Sequence, residues 1–180
     1  MHLSSGFAAI RTEFASYNFE LRIVDKSDLS ILFSDVDAVC PCATGGILTP
    51  DTIPQIKAKI VCGAANNQLR DLKNDDKLLR DRGIVYLPDF LVNRMGIVNC
   101  ADEHMGTIDN DPKLELHLGR DWDNSIYNLS LSVLNEAKAT GRTTQEIAIA
   151  IAEKKSREVN PLYGHRGQQI IDVLVKAQAP

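Results

Sequence analysis

The amino-acid sequence predicts an α/β fold in which a parallel sheet is followed by a helical extension. Between about residues 20 and 90, short apolar runs alternate with segments that have helix-forming patterns. The runs are rich in valine and isoleucine, as expected for parallel strands that helices cover on both faces. After residue 96, apolar residues recur at helical spacing only. Strands that alternate with helices, followed by helices alone, indicate a parallel sheet with an all-helical C-terminal part.

Four apolar runs are predicted to be neighbouring parallel strands of this sheet. Each run is short, contains valine or isoleucine, and is followed by polar or turn-forming residues. This pattern is typical of a strand that is buried on both faces. The four runs are Leu21–Val24, Val36–Cys40, Ala58–Cys62 and Gly83–Leu87.

Helices are predicted in the segments between the strands. One begins at Thr49-Pro50, where threonine can cap the helix and proline occupies its first position. Another spans Asp75 to Arg82 and ends at Gly83, because glycine commonly terminates helices. With the strands, these segments complete the alternation expected of a parallel sheet.

The region after residue 96 is predicted to contain successive amphipathic helices. Apolar residues recur at helical spacing over 97–105 and again from Ile126 to Ala137, where Gly141 closes the helix. Thr143–Glu146 has the Thr-x-x-Glu pattern of a capping box at the start of the next helix. The apolar residues of Ile170–Val175 mark a last helix near the C-terminus.

The composition is that of an ordinary globular chain. The 180 residues are 44% hydrophobic and 24% charged, with a net charge of −4 and a pI near 5.5. This balance argues against a nucleic-acid-binding protein, which would show a basic stripe. No apolar stretch approaches the ~18 to 20 residues of a membrane helix, and the N-terminus lacks a signal-peptide pattern. We therefore expect a soluble, cytoplasmic protein with no membrane or nucleic-acid partner.

The four cysteines, Cys40, Cys42, Cys62 and Cys100, give no sign of a metal site. No second close pair of cysteines or histidines is present to complete a four-ligand zinc site. A chain of this size also builds its own hydrophobic core without disulfide support. We predict buried free thiols and no metal.

Unusual turns follow three of the predicted strands. The turns are Cys40–Gly46, Gly63–Gln68 and Leu87–Asn93, and they are rich in small residues and carboxamides. Ligands of open parallel sheets bind at the carboxyl ends of the strands, so Gly45, Asn66 and Asn93 are predicted to share one edge. Carboxamides both donate and accept hydrogen bonds, which suits a ribose, a nicotinamide amide or an amino-acid head group. The alternative is that asparagine and glycine only shape the turns.

Four ordered motifs resemble those of the glutamate/leucine/phenylalanine/valine dehydrogenases. The motifs are Pro41–Gly46, Thr52–Ile60, Gly63–Leu69 and Gly83–Phe90, and their order and spacing match across residues 35–106. The chain is most similar to the leucine, phenylalanine and tryptophan dehydrogenase branch. Such enzymes oxidatively deaminate an L-amino acid to a 2-oxo acid and ammonia, and they pass a hydride to NAD. The resemblance therefore implies NAD as cofactor, with NADP not excluded.

The resemblance also implies a domain organisation. Residues 1–106 would form a partial Rossmann-like dinucleotide-binding domain that lacks its glycine-rich first βαβ unit. Residues 107–180 would form a C-terminal helical extension. The polar composition of Asp109–Asp123 independently predicts a surface connection between the two parts. No Gly-x-Gly-x-x-Gly occurs in the sequence, so the turn that cradles phosphates is missing.

The family assigns ligand-binding roles to residues of the matching motifs. By this resemblance, Cys42 and Ala43 would lie beside the nicotinamide-side ribose. Asn66, with Asn67, would face the nicotinamide and the substrate, and Asn93 would contact the cofactor's carboxamide region. The substrate pocket would be lined by Asn67, Ile97 and Cys100.

The expected function is that of an NAD(P)-dependent amino-acid dehydrogenase, of which this chain is the C-terminal cofactor-domain portion. The family's lysine-bearing, glycine-rich substrate motif is absent from this sequence, so no catalytic residue is assigned here. Where the family usually has Asn-Ala-Gly-Gly, the chain has Asn93-Arg-Met-Gly96. The expected partners are an amino acid or 2-oxo acid and further copies of the chain in a homo-oligomer. The alternative is a non-catalytic binding or oligomerisation module derived from the family.

Overall fold

The computed structural model describes residues 9–25, 27–105, 111–158 and 176. The last predicted helix, Ile170–Val175, lies outside these residues. By packing, the chain divides into two units, residues 1–31 and residues 32–180. The predicted division at residue 106 is a separate hypothesis about domains and stays a prediction.

The first predicted strand is wrong. In the N-terminal unit, residues 9–13 are helical and residues 18–25 have no regular secondary structure. Ile23 is 60% exposed, although a strand buried on both faces would cover this side chain. A strand needs a neighbouring strand to satisfy its backbone N–H and C=O groups. A short apolar run that has no such neighbour therefore does not become a strand.

Three of the four predicted strands are present and form one parallel sheet. β1 (Ala38–Val39), β2 (Ile60–Val61) and β3 (Val85–Tyr86) lie in the order β1-β2-β3. The strands are shorter than the apolar runs that predicted them. Proline fixes the backbone and has no N–H to donate to a ladder. Pro41 and Pro88 lie just beyond β1 and β3, where these ladders end.

Helices cover one face of this sheet within the described residues, not both as expected. The buried face packs on fully buried side chains that include Leu48, Ile53 and Leu79. On the opposite face, the in-register residues Ile60 and Val85 are 40% and 42% exposed. The valine- and isoleucine-rich runs had predicted burial on both faces. Instead, one residue of β2 and one of β3 are buried, and in β1 Val39 is half-buried and Ala38 exposed.

The connections between the strands confirm one predicted helix and correct the other. α1 (Asp75–Asp81) ends at Arg82, and Gly83 has a φ of +71° that favours glycine. The helix predicted from Thr49-Pro50 is only a turn followed by a 3₁₀ helix, Ile53–Gln55. There the Thr52 hydroxyl donates to the Ile47 carbonyl oxygen at 2.5 Å, so its side chain stabilises the turn.

Five helices follow β3 in the described residues. They are α2 (Asp89–Val92), α3 (Met95–Met105), α4 (Pro112–Leu118), α5 (Ile126–Thr140) and α6 (Thr144–Ser156). α5 ends at Gly141 with a φ of +72°, as predicted. α4 lies within the stretch predicted to be a surface connection, and Pro112 at its first position suits a helix start. A second core contains Leu91, Val133, Ile147 and Ala148.

The predicted capping box at the start of α6 is confirmed and bonds to α1. The Thr143 hydroxyl accepts from the Glu146 N–H, and the Glu146 carboxylate accepts from the Thr143 N–H. The same hydroxyl donates to the buried Asp76 carboxylate. Thr143 therefore stabilises both the helix terminus and a carboxylate that has little access to water.

Replacing Thr143 by alanine is expected to lower the free energy of unfolding by about 2 to 4 kcal/mol. Loss of an N-cap costs about 1 kcal/mol, and a buried acceptor left without a donor costs about 1 to 3 kcal/mol. Urea denaturation measures the change. Thr140→Ala is the matched control, because the Thr140 hydroxyl is exposed and bonds only locally, to the Glu136 carbonyl oxygen and the Arg142 N–H at the end of α5. Equal stability of the two variants would contradict the role given to Thr143.

Candidate functional site

Backbone hydrogen bonds join the turns after the three strands. The Gly46 N–H donates to the Asn67 carbonyl oxygen at 2.7 Å, which connects the turns after β1 and β2. The Asn67 N–H donates to Asp89 Oδ2 at 2.8 Å, which connects the turns after β2 and β3. We call Gly45, Asn66, Asn67, Asp89 and Asn93 the strand-end cluster.

Two carboxamides of the strand-end cluster contact each other directly. Asn93 Nδ2 donates to Asn66 Oδ1 at 2.5 Å and to the Ala64 carbonyl oxygen at 3.2 Å. Because a carbonyl oxygen can only accept, the Ala64 contact fixes which end of the Asn93 amide is the donor. Asn66 must then present its oxygen to Asn93. Within the described residues, the Asn66 NH₂ group and Asn93 Oδ1 have no hydrogen-bond partner, so the pair offers one donor and one acceptor to a ligand.

Close backbone approach explains the small residues in these turns. A Cβ on Gly45 would lie 2.2 Å from the Asn66 carbonyl oxygen. A Cβ on Gly63 would lie 2.1 Å from the Pro41 carbonyl oxygen and 2.4 Å from the Pro41 nitrogen. Both distances are far below van der Waals contact, so only glycine allows the turns after β1 and β2 to approach this closely. Gly45, Asn66 and Asn93 thus share one edge of the sheet, as predicted.

Two residues to which the sequence assigned no role, Gln68 and the cluster residue Asp89, hold the turns in place. Gln68 is fully buried, and its Nε2 donates to the carbonyl oxygens of Gly63 and Ala65 at 2.6 and 3.0 Å. Asp89 is only 7% exposed and accepts from the Asn67 N–H. Asn67 itself has a left-handed φ of +53°, which asparagine tolerates better than most residues. The sequence could have pointed to Asp89, because it is a charged residue that follows the predicted strand Gly83–Leu87 and Pro88.

The buried carboxylate of Asp89 also affects Tyr86 at the end of β3. Burial raises the pKa of the Tyr86 hydroxyl, and the negative charge of Asp89 raises that pKa further. Tyr86 therefore stays protonated at neutral pH, with its hydroxyl 3.4 Å from Asp89 Oδ1. The strand-end cluster contains carboxamides and one buried carboxylate but no lysine or histidine. The Asp89 oxygens already accept from the Asn67 N–H and the Tyr86 hydroxyl, so the cluster is suited to orient a neutral polar group.

The other predicted site residues lie outside this hydrogen-bonded cluster. Cys42 and Ala43 are exposed in the turn after β1. Ile97 is 79% exposed on α3, and Cys100 on the same helix is also exposed. Their assigned roles toward the cofactor and the substrate side chain remain predictions.

The cysteines are free thiols as predicted, but the prediction that they are buried is wrong. Cys40, Cys42 and Cys100 are exposed, and Cys62 is half-buried. Cys40 and Cys42 lie in the turn after β1, beyond the residues that the core covers. No group of three or more histidine, cysteine or acidic side chains in the described ranges is placed to hold a metal ion.

Arg94, in the segment that departs from the family pattern, packs against the helical part of the chain. Its guanidinium donates to the Asn124 carbonyl oxygen and lies 5.9 Å from the centre of the Trp122 ring. The Trp122 and His117 rings pack edge to face, with their centres 4.9 Å apart. Arg94 therefore makes its contacts near the start of α5 and is absent from the strand-end cluster.

An open apolar cavity of about 550 Å³ lies between β3, α1 and α5 and includes no residue of the strand-end cluster. No helix in the described ranges has the length and apolar character needed to cross a bilayer.

Comparison with known proteins identifies similar sequences and structures. The family model for Glutamate/Leucine/Phenylalanine/Valine dehydrogenase matches residues 8–158. A valine dehydrogenase from Streptomyces coelicolor is 39% identical over 144 residues, which are 77% of this chain and 36% of that protein. An L-tryptophan dehydrogenase from Nostoc punctiforme is 34% identical over 145 residues, which are 81% of this chain and 38% of that protein. The chain thus spans little more than a third of the length of these curated relatives.

A solved structure is similar in fold as well as in sequence. The crystal structure of L-tryptophan dehydrogenase from Nostoc punctiforme superposes with a TM-score of 0.61 at 37% identity. The match covers 69% of this chain and 35% of that chain.

Proposed function

The chain belongs to the glutamate/leucine/phenylalanine/valine dehydrogenase family, and from this premise we propose that it forms the nicotinamide-side part of an L-amino-acid dehydrogenase. The observation that supports this role best is the pairing of the Asn66 and Asn93 carboxamides at the carboxyl ends of the strands. Residues 1–106 then belong to a partial dinucleotide-binding domain, and residues 107–180 to a helical extension. NAD is the proposed cofactor.

The proposed mechanism gives the strand-end cluster an orienting role. The unpaired Asn66 donor and Asn93 acceptor match the carboxamide of a nicotinamide, which has one NH₂ and one carbonyl group. NAD supplies the hydride acceptor when it is bound. Cys42 and Ala43 would lie beside the ribose, and Asn67, Ile97 and Cys100 beside the amino acid. The proton acceptor would be a basic group outside this cluster.

A chimeric enzyme tests the proposal. Residues 8–158 would replace the matching segment of the Streptomyces coelicolor valine dehydrogenase, which would supply the remainder of the protein. We expect reduction of NAD that depends on an added L-amino acid, followed by absorbance across a panel of amino acids. A chimera that folds and binds NAD but forms no reduced cofactor would contradict the dehydrogenase role. It would favour the alternative, a non-catalytic binding or oligomerisation module.

The chain alone is expected to bind NAD with a dissociation constant of about 1 mM or weaker, which corresponds to a binding free energy near −4 kcal/mol. The physical reason is that a glycine turn and helix N-terminal amides supply much of the pyrophosphate binding in such folds, and this sequence has no Gly-x-Gly-x-x-Gly. Isothermal titration calorimetry measures the affinity. Micromolar binding would mean that another part of the chain holds the phosphates.

We also propose that copies of the chain associate into a homo-oligomer. Ile60 and Val85 expose apolar surface in register on one face of the sheet, and association would remove such surface from water. Multi-angle light scattering gives the mass in solution. A monomer at all concentrations would contradict this part of the proposal.

A further inference from the structure

Two cysteines occupy neighbouring positions at the ends of β1 and β2. Val39 pairs with Val61 in the parallel register, and Cys40 and Cys62 each follow directly. The Cys62 N–H donates to the Val39 carbonyl oxygen at 3.0 Å, and the Ala65 N–H donates to the Pro41 carbonyl oxygen at 2.9 Å. The two chain segments therefore remain adjacent on both sides of Cys40 and Cys62.

The spacing at this point suits a covalent link. Neighbouring strands lie about 4.8 Å apart, and disulfides join residues whose Cα atoms are about 4.4 to 6.8 Å apart. One residue further on, Gly63 and Pro41 approach so closely that no Cβ would fit between them. Side chains alternate between the faces of a strand, so Cys40 and Cys62 belong to the same face as Ala38 and Ile60, which are exposed.

The two thiols differ in environment. Cys40 is exposed, whereas Cys62 is half-buried. Burial raises the pKa of the Cys62 thiol, and negative charge on Cys40 and Cys42 would raise that pKa further. An oxidant from solution would thus reach Cys40 first, with Cys62 beside it.

We propose that Cys40 and Cys62 form a vicinal dithiol site that small-molecule disulfides, such as oxidised glutathione, convert to an intrachain disulfide. The Cys40 thiolate attacks one sulfur of the reagent, which releases one thiolate and leaves a mixed disulfide on Cys40. The Cys62 thiolate then attacks the Cys40 sulfur and releases the second thiolate. The two protein thiols lose two protons and two electrons, and the reagent disulfide becomes two thiols. Cys42 is outside the register pair and is not required.

Peptide mapping of the full chain without reductant tests this proposal. After reaction of the folded chain with oxidised glutathione, trypsin would separate a peptide of residues 27–57, which contains Cys40 and Cys42, from a peptide of residues 60–70, which contains Cys62. We expect the wild type to give these two peptides linked, with the mass of two hydrogen atoms lost. Circular dichroism before and after reaction verifies that the chain is folded.

Three serine variants identify which thiols react. Cys42→Ser is the matched control and is expected to keep the linked peptides. Cys40→Ser and Cys62→Ser are expected to lose them and to retain only glutathione adducts on the remaining cysteines. Linked peptides in Cys40→Ser would show that Cys42 is the partner and would overturn the proposal. Glutathione adducts alone, or no reaction, in the folded wild type would also overturn it.

Discussion

Asn66→Ala in the chimeric dehydrogenase is expected to lower kcat/KM by ~100-fold or more, or about 2.7 kcal/mol of transition-state stabilisation. The variant removes the NH₂ group that is free to bind a ligand, and it removes the oxygen that accepts from Asn93 Nδ2. Without that acceptor, the Asn93 amide keeps only its bond to the Ala64 carbonyl oxygen. Steady-state kinetics with a fixed amino acid and varied NAD measures the loss.

Thermal melts and a control variant separate this effect from misfolding. Asn66 is exposed, so we expect the melting temperature of Asn66→Ala to stay close to that of the parent chimera. Asn135→Ala, on the exposed surface of α5, is expected to change neither property. Unchanged kinetics for Asn66→Ala would reduce Asn66 to a turn-forming residue. Equal losses of activity and folding would make its role structural.

Gly63→Ala is expected to destabilise the chain by about 3 kcal/mol or more, at the upper end of the cost of overpacking. The added methyl group would overlap the backbone nitrogen and carbonyl oxygen of Pro41, which cannot rotate away as a side chain could. The turns after β1 and β2 would have to separate, which would also strain the bond from the Ala65 N–H to the Pro41 carbonyl oxygen. Urea denaturation followed by circular dichroism measures the loss.

Gly96→Ala is the matched control for this change. Gly96 lies in α3, and a Cβ there would meet no atom within 4 Å. Alanine is a better helix former than glycine by about 0.5 to 1 kcal/mol, so this variant is expected to be slightly more stable than the wild type. A Gly63→Ala variant as stable as Gly96→Ala would contradict the close approach of the two turns.

Local patterns predicted the parts of the fold that depend on local chemistry. The apolar runs located β1, β2 and β3, and the helix-terminating glycines and the capping box located α1, α5 and α6. The same reasoning failed for Leu21–Val24 and for Thr49-Pro50. A strand needs a partner that a short run does not reveal. Threonine before proline can also begin a turn, and here the Thr49 hydroxyl stabilises it by accepting from the Asp51 and Thr52 N–H groups.

The candidate site was predictable to the extent that its residues follow strands. Parallel strands end at a common edge, so Asn66 and Asn93 could be placed together from their positions alone. The roles of Gln68 and Asp89 could not, because their partners depend on how closely neighbouring turns pack. Asp89 bonds a backbone N–H that is 22 residues away in sequence. Exposure of the cysteines was also missed, since cysteine is usually buried whereas these lie at strand ends and on a helix surface.

Binding of the nicotinamide by the strand-end cluster is tested most directly by a titration of the chain with NAD, in which NMR follows the side-chain amide signals of the asparagines. We expect the Asn66 and Asn93 amide signals to shift progressively with NAD, even at weak affinity, whereas the Asn135 signal on α5 stays in place. Asn66→Ala should abolish the shift of the Asn93 signal, because the nicotinamide site would be lost. Shifts confined to residues outside the strand-end cluster, or none up to the solubility limit of NAD, would contradict the claim that this cluster binds the nicotinamide.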